Sequence, residues 1–369
     1  MAPDSCYLSI VATARNDDHG GNLLGRMQLF VSGLLEQCRR HQLNAELILV
    51  EWNPPEDKPR LSEALSWPVD NGPCSVRIIE VSPEIHARFK YSDRLPLFQM
   101  LAKNAGVRRA RGQFVLATNI DILFSDELIH FLSSGRLRQN RMYRINRYDV
   151  KSDVPTSASI EAQLAYCRDN LLRINDRNGT KNLITGHHHA VYDPAGSRSW
   201  LQEKISELKG AEVTERTRLH TNGCGDFTLM SRARWFELRG YPEFEMYCMH
   251  LDSLLCHAAH HNGAREQVLD DPMRIYHIEH GVNSGDSAGA ALASAETNSQ
   301  RSQSKPEEQK NLDMRGQAGG IPQLDHAQFT TWAIQMRRER RPIIFNDAKW
   351  GLADDDLPET IVFAAGKVA

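Results

Sequence analysis

Apolar runs of strand length alternate with amphipathic helical stretches through the first 125 residues, and this alternation limits the folds open to the chain more than any other feature. "YLSIVATA" (7–14), "AELILVEW" (45–52), "SVRIIEVS" (75–82) and "QFVLATNID" (113–121) read as buried strands. After the first, Leu23, Leu24, Met27, Phe30, Val31, Leu34, Leu35 and Cys38 recur at helical spacing. "NPPEDKP" stops the second strand. "PLFQMLAKNAGVRRARG" (96–112) reads as a helix punctuated by Gly112. Strands alternating with helices imply a mainly parallel α/β sheet, and such sheets bind ligands at the carboxyl ends of their strands. Three of those ends are polar: Thr13 to Asp17, Glu51, and Asn119 with Asp121. In "LATNIDILF" (116–124), read as one strand, Asn119 and Asp121 share a face. That pair fits either a turn at a strand end or a metal or phosphate site at the sheet's edge.

The second half is less regular. "RLRQNRMYRINR" (136–147) reads as an exposed basic helix face, with a site for an anionic acceptor as the other reading. Residues 182–200 read as loop, and "HTNGCGDFTLMSRARWFELRGYPE" (220–243) as a Gly-rich turn, a strand and a helix. "LDSLLCHAAHHNG" (251–263) is an amphipathic helix, and "MRIYHIEHG" (273–281) a strand ending in histidines. Residues 283–320, poor in aromatics and rich in small polar residues, read as a mobile loop or linker. A helix, "DHAQFTTWAIQMRRERR", and a tail follow. With 41% hydrophobic residues, 25% charged residues and a net charge of −3, no global field argues for nucleic acid or an acidic membrane as partner. The seven cysteines are single, without a CxxC pair, which points to a reducing compartment. No leader and no transmembrane run is evident, so the expectation is a cytoplasmic protein, with peripheral membrane attachment left open.

Taken in order, strand-"ARN", strand-"VEWNPP", helix-"KNAGVRRARG" and strand-"TNID" resemble the nucleotide-sugar half of glycosyltransferases with the GT-A fold, above all the family 2 type. "NGCGDFTLMSRARWFELRGYPE…HLDSLLCHAAHHNG" is similar to the acceptor-side segment of galactosyltransferase-like enzymes. The likeness spans roughly residues 7 to 281. It implies a Rossmann-like α/β fold with a mainly parallel central sheet. The expected layout is a catalytic domain at 1–281 (nucleotide-sugar half 1–125, acceptor half 126–281), a low-complexity loop at 282–322, and a C-terminal helix and tail at 323–369. The activity implied is hexosyl transfer from a nucleotide-diphosphate sugar, UDP-sugars first, to a hydroxyl acceptor such as a saccharide or lipid-linked glycan. That activity belongs to polysaccharide or glycoconjugate synthesis.

The residue roles follow from the same resemblance. Asn119-Ile120-Asp121 stands where the family has D-x-D, with the first aspartate replaced. Asp121 becomes a ligand of Mn²⁺ or Mg²⁺, which neutralises charge building up on the leaving diphosphate. His277 is the first choice to complete the coordination and His280 the second. Thr13, Arg15 and Asn16 follow the first strand where the family meets the nucleotide, and Glu51 stands where an acid reads base or ribose. Arg94, Lys103 and Asn104 are expected on the donor side, with Asn119 and Ile120. Asp252 is the candidate base for an inverting transfer. Asp226 is the alternative, better suited to holding an acceptor hydroxyl beside Gly225. Trp350 either stacks on a sugar or anchors the tail.

Three rivals stand beside this reading. His257 and His261 lie four apart on a helix, as in zinc hydrolases, but no H-E-x-x-H is present. A nucleotidyltransferase shares the early α/β pattern, without its basic Gly-rich phosphate loop. The replaced aspartate at Asn119 leaves room for a degenerate GT-A protein that binds nucleotide or glycan without catalysis.

Overall fold

The structure, a computed structural model, describes residues 6–190, 218–280 and 321–364. The stretch expected to be a flexible loop, 282–322, lies almost wholly outside the described residues. Fourteen strands build two sheets among the residues described. The strands are β1 (Leu8–Ala14), β2 (Ala45–Trp52), β3 (Ser75–Val81), β4 (Phe114–Thr118), β5 (Ile122–Phe124), β6 (Arg141–Ile145) and β7 (Arg147–Val150). They continue with β8 (Leu171–Asn175), β9 (Gly179–Asn182), β10 (His188–Ala190), β11 (Phe227–Ser231), β12 (Arg265–Leu269), β13 (Ile275–Ile278) and β14 (Glu359–Phe363). The larger sheet runs β12-β6-β11-β4-β1-β2-β3-β14 and the smaller β10-β9-β8-β7-β13-β5. In the larger sheet only β11 and β14 run against the other strands, so the expected α/β fold with a mainly parallel central sheet is present.

The doubly wound layering follows from strand alternation. Leu8, Ile10, Ala12 and Ala14 of β1 face one core, which α1 (Leu23–Arg40) covers with Met27, Phe30, Val31 and Leu34. Val11, with Ile48, Val50 and Trp52 of β2, faces the other, covered by α2 (Gln99–Arg108). Each of the larger side chains among them contributes about 1.5–3 kcal/mol on burial. Gly106 lets α2 lie close on the sheet: a Cβ there would come 2.5 Å from Val11 Cγ1. The second core is completed by α5 (Arg232–Leu238), α6 (Leu251–His261) and α7 (His326–Glu339). Two further helices, α3 (Asp126–Ser133) and α4 (Ile160–Asp169), begin at Ser125 and Ser159, whose hydroxyls accept from backbone N–H groups in the first turn.

Four readings change. "LATNIDILF" is not one strand: the chain leaves the large sheet after Thr118 and enters the small one at Ile122, so Asn119 to Asp121 form the crossing. Gly112 does not punctuate a helix but abuts β1, where a Cβ would lie 2.5 Å from the Ser9 nitrogen. The basic run at 136–147 is a loop and strands rather than an exposed helix face, with Arg144 and Arg147 buried. The tail adds an edge strand: β14 pairs with β3, and Glu359 reaches Arg77 at 2.6 Å. No helix among the described residues is long and apolar enough to cross a membrane.

Candidate active site

At the crossing between the sheets Asp121 meets two histidines. Its Oδ2 lies 3.2 Å from His280 Nε2 and 3.7 Å from His277 Nε2. The three side chains can offer ligand atoms all within 4.8 Å of one another. Strand pairing places them there. β13 pairs antiparallel with β5, setting His277 opposite Ile122, and the Ile278 N–H donates to the Asp121 carbonyl at 3.0 Å. The β1–α1 loop closes over the group. Gly20, at φ 71°, lies so near His280 that a Cβ would sit 2.7 Å from its Nδ1. The loop is held by Arg26, whose guanidinium donates to the His19 carbonyl at 2.7 Å and to that of Gly21.

Behind the histidines lies a carboxylate that the sequence reading missed. Asp149, fully buried on β7, is paired in register with His277, and its Oδ1 lies 3.2 Å from His277 Nδ1. Arg147 Nε approaches the same oxygen at 2.9 Å. On Oδ2, Arg173 Nε donates at 2.7 Å and Asn175 Nδ2 at 3.0 Å. Arg147 also donates from Nη1 to Asp226 Oδ2 at 2.7 Å, and Arg173 reaches Glu279. Burial acts to raise the Asp149 carboxyl, but Arg147, His277 and Arg173 outweigh it and hold it far below the ordinary range. Asp121 behaves alike: burial opposes charge, and His277, His280 and Arg26 push its carboxyl well down. Burial would lower His277, yet the two carboxylates beside it leave its imidazole raised.

These residues suit a divalent cation. Asp121 Oδ1 is buried with no hydrogen-bond partner among the described residues, the costly state that a cation would relieve. Asp149 lies against His277 Nδ1 and Nε2 faces Asp121, the arrangement in which metal-binding histidines are commonly held. One carboxylate with two imidazoles is a mixed O/N set, which suits a first-row transition-metal dication better than Ca²⁺ or Mg²⁺.

Next to this group the loop before β11, which carries Gly225 and Asp226, is fastened from below. Lys103, fully buried, donates from Nζ to Asn119 Oδ1 and to the Gly225 carbonyl, both at 2.7 Å. Burial lowers its ammonium pKa, opposed by Asp226 and Asp252. The Asn119 amide donates to Asp226 Oδ1, and Thr118 Oγ1 to the Asp226 carbonyl at 2.7 Å. Arg144 ties the same loop by donating to the His220 carbonyl at 2.9 Å. Asp252 opens α6 and looks across Gly225, where a Cβ would lie 3.1 Å from its Oδ2. Its Oδ1 accepts from the Ser253 N–H at 2.8 Å, and Oδ2 carries no hydrogen bond among the described residues. The absence of a side chain at Gly225 thus keeps that Asp252 oxygen from being crowded.

The structure therefore gathers Asp121, His277, His280, Asn119, Lys103, Gly225, Asp226 and Asp252. Thr13, Arg15 and Asn16 line the end of β1 but bond neighbouring backbone carbonyls, and Arg15 also pairs with Asp17 at 2.7 Å. Thr13 donates to the Val50 carbonyl at 3.1 Å, Arg15 to that of Asn53 at 2.7 Å and Asn16 to that of Pro59 at 3.0 Å. Glu51 is buried and accepts from the Leu61 N–H at 3.0 Å, with burial pushing its carboxyl up to about 7. Ile120 is buried in the α1-side core. Arg94 lies on an exposed loop over the Tyr91 ring. The Asn104 amide is wholly engaged with the turn after α5, its Nδ2 donating to the Tyr241 carbonyl at 2.8 Å and its Oδ1 accepting from the Tyr241 N–H. Trp350 is buried against Phe236 and under Arg108, so it anchors the tail.

No protein-family model and no curated protein sequence matches the chain. Solved structures with a similar course of the chain include glycosyltransferases. GalNAc-T7 with UDP, GalNAc and Mn²⁺ is 13% identical at a TM-score of 0.46. The similarity covers 95% of this chain and 56% of that one, so this chain spans little more than half its length. S. aureus TarS 1–349 with UDP-GlcNAc is 13% identical at 0.41, over 84% and 71%. Drosophila β1,4-galactosyltransferase 7 with xylobiose is 9% identical at 0.34, over 76% and 68%.

Proposed function

We propose that the chain is a metal-dependent GT-A glycosyltransferase that moves a hexose from a nucleotide-diphosphate sugar, UDP-sugars first, to a hydroxyl acceptor with inversion. The observation that carries this reading is the placement of Asp121, His277 and His280 at a sheet junction, with Asp252 and its free oxygen beside Gly225. Asp121, His277 and His280 would hold a divalent ion, which when bound neutralises charge on the departing diphosphate. The chain's own groups do the rest. Asp252 Oδ2 accepts the acceptor's hydroxyl proton as the oxygen attacks the anomeric carbon. Asp226, held by Arg147 and Asn119, presents a fixed carboxylate edge for acceptor hydroxyls. Lys103 keeps the crossing and the acceptor loop in one position, so that donor and acceptor meet in a set geometry. Asn119 suits this loop better than the family's aspartate, because its amide donates to Asp226 where a second carboxylate would repel it.

A thermal-shift titration with UDP, GDP, CDP and dTDP, each with Mn²⁺ and with EDTA, tests the reading. A rise in melting temperature for one diphosphate, dependent on the ion and absent in Asp121→Asn, is expected. No rise with any of the four, or one that persists in Asp121→Asn with EDTA, would remove the basis for a metal-bound donor.

A further inference from the structure

A second, separate site lies at the opposite end of the large sheet. β6 and β12 pair in parallel with Arg141 opposite Arg265, so both guanidiniums leave the same face of neighbouring strands. Like charges opposed in this way destabilise a sheet, and neither makes an ion pair among the described residues. Arg141 Nε is buried with no hydrogen-bond partner there. Beside them opens a cavity of ≈470 Å³ lined by Phe131, Arg136, Arg138, Arg141, Glu266 and Gln267. Its one carboxylate is already used: Glu266 takes Arg177 at 2.9 Å and accepts from the His220 N–H at 2.8 Å. The cavity thus concentrates positive charge in a chain whose net charge is −3.

The site is also built in advance. The loop carrying Arg136 and Arg138 is fixed by two tyrosine hydroxyls, Tyr7 accepting from the Leu137 N–H at 3.3 Å and Tyr143 from that of Arg138 at 2.8 Å. Arg136 donates to Ser134 Oγ at 2.9 Å and lies 5.1 Å over the Phe131 ring. Holding the Arg136 side chain and the loop backbone in place beforehand reduces the entropy lost on binding a ligand. Met230 pairs with both Met142 and Val115, which sets Arg141 level with the start of β4, whereas Asp121 follows its end. About four residues of strand, roughly 13 Å, separate the two sites along the sheet, and they share no side chain.

From this geometry we infer that Arg136, Arg138 and Arg141, with Arg265 opposite Arg141 on the neighbouring strand, form a binding site for a phosphate-type dianion. Planar guanidiniums grip such an anion through paired N–H donors, and an anion between Arg141 and Arg265 removes their repulsion. The cavity exceeds a bare phosphate, which fits a phosphate ester, whether a soluble one or the headgroup of an anionic lipid.

Calorimetric titration of the full chain with inorganic phosphate and pyrophosphate, against chloride at matched ionic strength, tests this. Binding is expected in the wild type and at least about tenfold weaker in Arg141→Gln/Arg265→Gln, with Arg141→Lys intermediate because it keeps charge but not the fork. A readout that needs no ligand guards against misfolding: Arg265→Gln alone should raise the melting temperature in phosphate-free buffer, and less so with phosphate present. Co-sedimentation with phosphatidic acid vesicles, against phosphatidylcholine alone, separates the sources. Phosphate binding without vesicle binding assigns a soluble ester; vesicle binding that the double variant abolishes assigns a headgroup. No heat with either anion, or equal affinity in the double variant, overturns the site. A melting temperature unmoved by Arg265→Gln removes the repulsion on which it rests.

Discussion

Asp149→Asn puts the support behind the proposed metal ligands to the test. The substitution keeps the shape of the side chain and one acceptor oxygen but removes a charge that Arg147, Arg173 and His277 surround. Removing one partner of a buried ion pair costs about 3–5 kcal/mol. Here both arginines keep a second carboxylate, Asp226 for Arg147 and Glu279 for Arg173, so about 2–3 kcal/mol is the expected loss. The depressed carboxyl gives the sign with pH. Its contribution is complete above the ordinary aspartate value of 3.8 and is lost as pH falls through the lower folded value. Urea denaturation without metal should therefore show the variant less stable at neutral pH, with the gap closing below pH 3.8. Independently, Mn²⁺ affinity measured by electron paramagnetic resonance should fall about 10–100-fold, because His277 loses the group that orients it. A variant that loses stability but binds Mn²⁺ like the wild type would refute the orienting role. A stability gap under about 1 kcal/mol would refute the electrostatic account of the network.

Other expectations follow from the same site. Asp252→Asn should lower the transfer rate by about 10²–10⁴ while leaving the diphosphate-induced melting shift intact, and an unchanged rate in steady-state assays would transfer the base role elsewhere. Asn119→Asp brings a carboxylate into contact with Asp226; a loss of about 1–2 kcal/mol in chemical denaturation is expected, and none would mean that Lys103 neutralises the pair. Glu51, with its carboxyl raised to about 7, binds a proton more tightly folded than unfolded, so wild-type stability should fall between pH 4.5 and about 7 relative to Glu51→Gln. The full difference above that window is about 3 kcal/mol, and parallel stability profiles of the two proteins would contradict it.

Pattern alone carried the parallel half of the fold a long way, because those strands are apolar on both faces and their helix is amphipathic. β2 spans Ala45–Trp52, the very run read from the sequence. The errors came where chemistry masked the pattern. The run 136–147 leads through β6 into β7, yet its charges suggested a solvent face, since burying Arg144 and Arg147 makes sense only once their partners are known. Arg147 and Asp149 are two apart on β7 and so share a face, a period-two signal present in the sequence but pointing toward no visible partner. The partner, His277, lies 128 residues beyond Asp149 and meets it through the parallel register of β13. Asn119 and Asp121 show the same thing in reverse: their residue types were readable, their shared face was not, because the chain changes sheets between them. That change of sheet sends Asn119 toward Lys103 and Asp226, and Asp121 toward the histidines. One three-residue crossing thereby supplies both sides of the candidate site. A straight strand could not, since it would turn both side chains to the same neighbour.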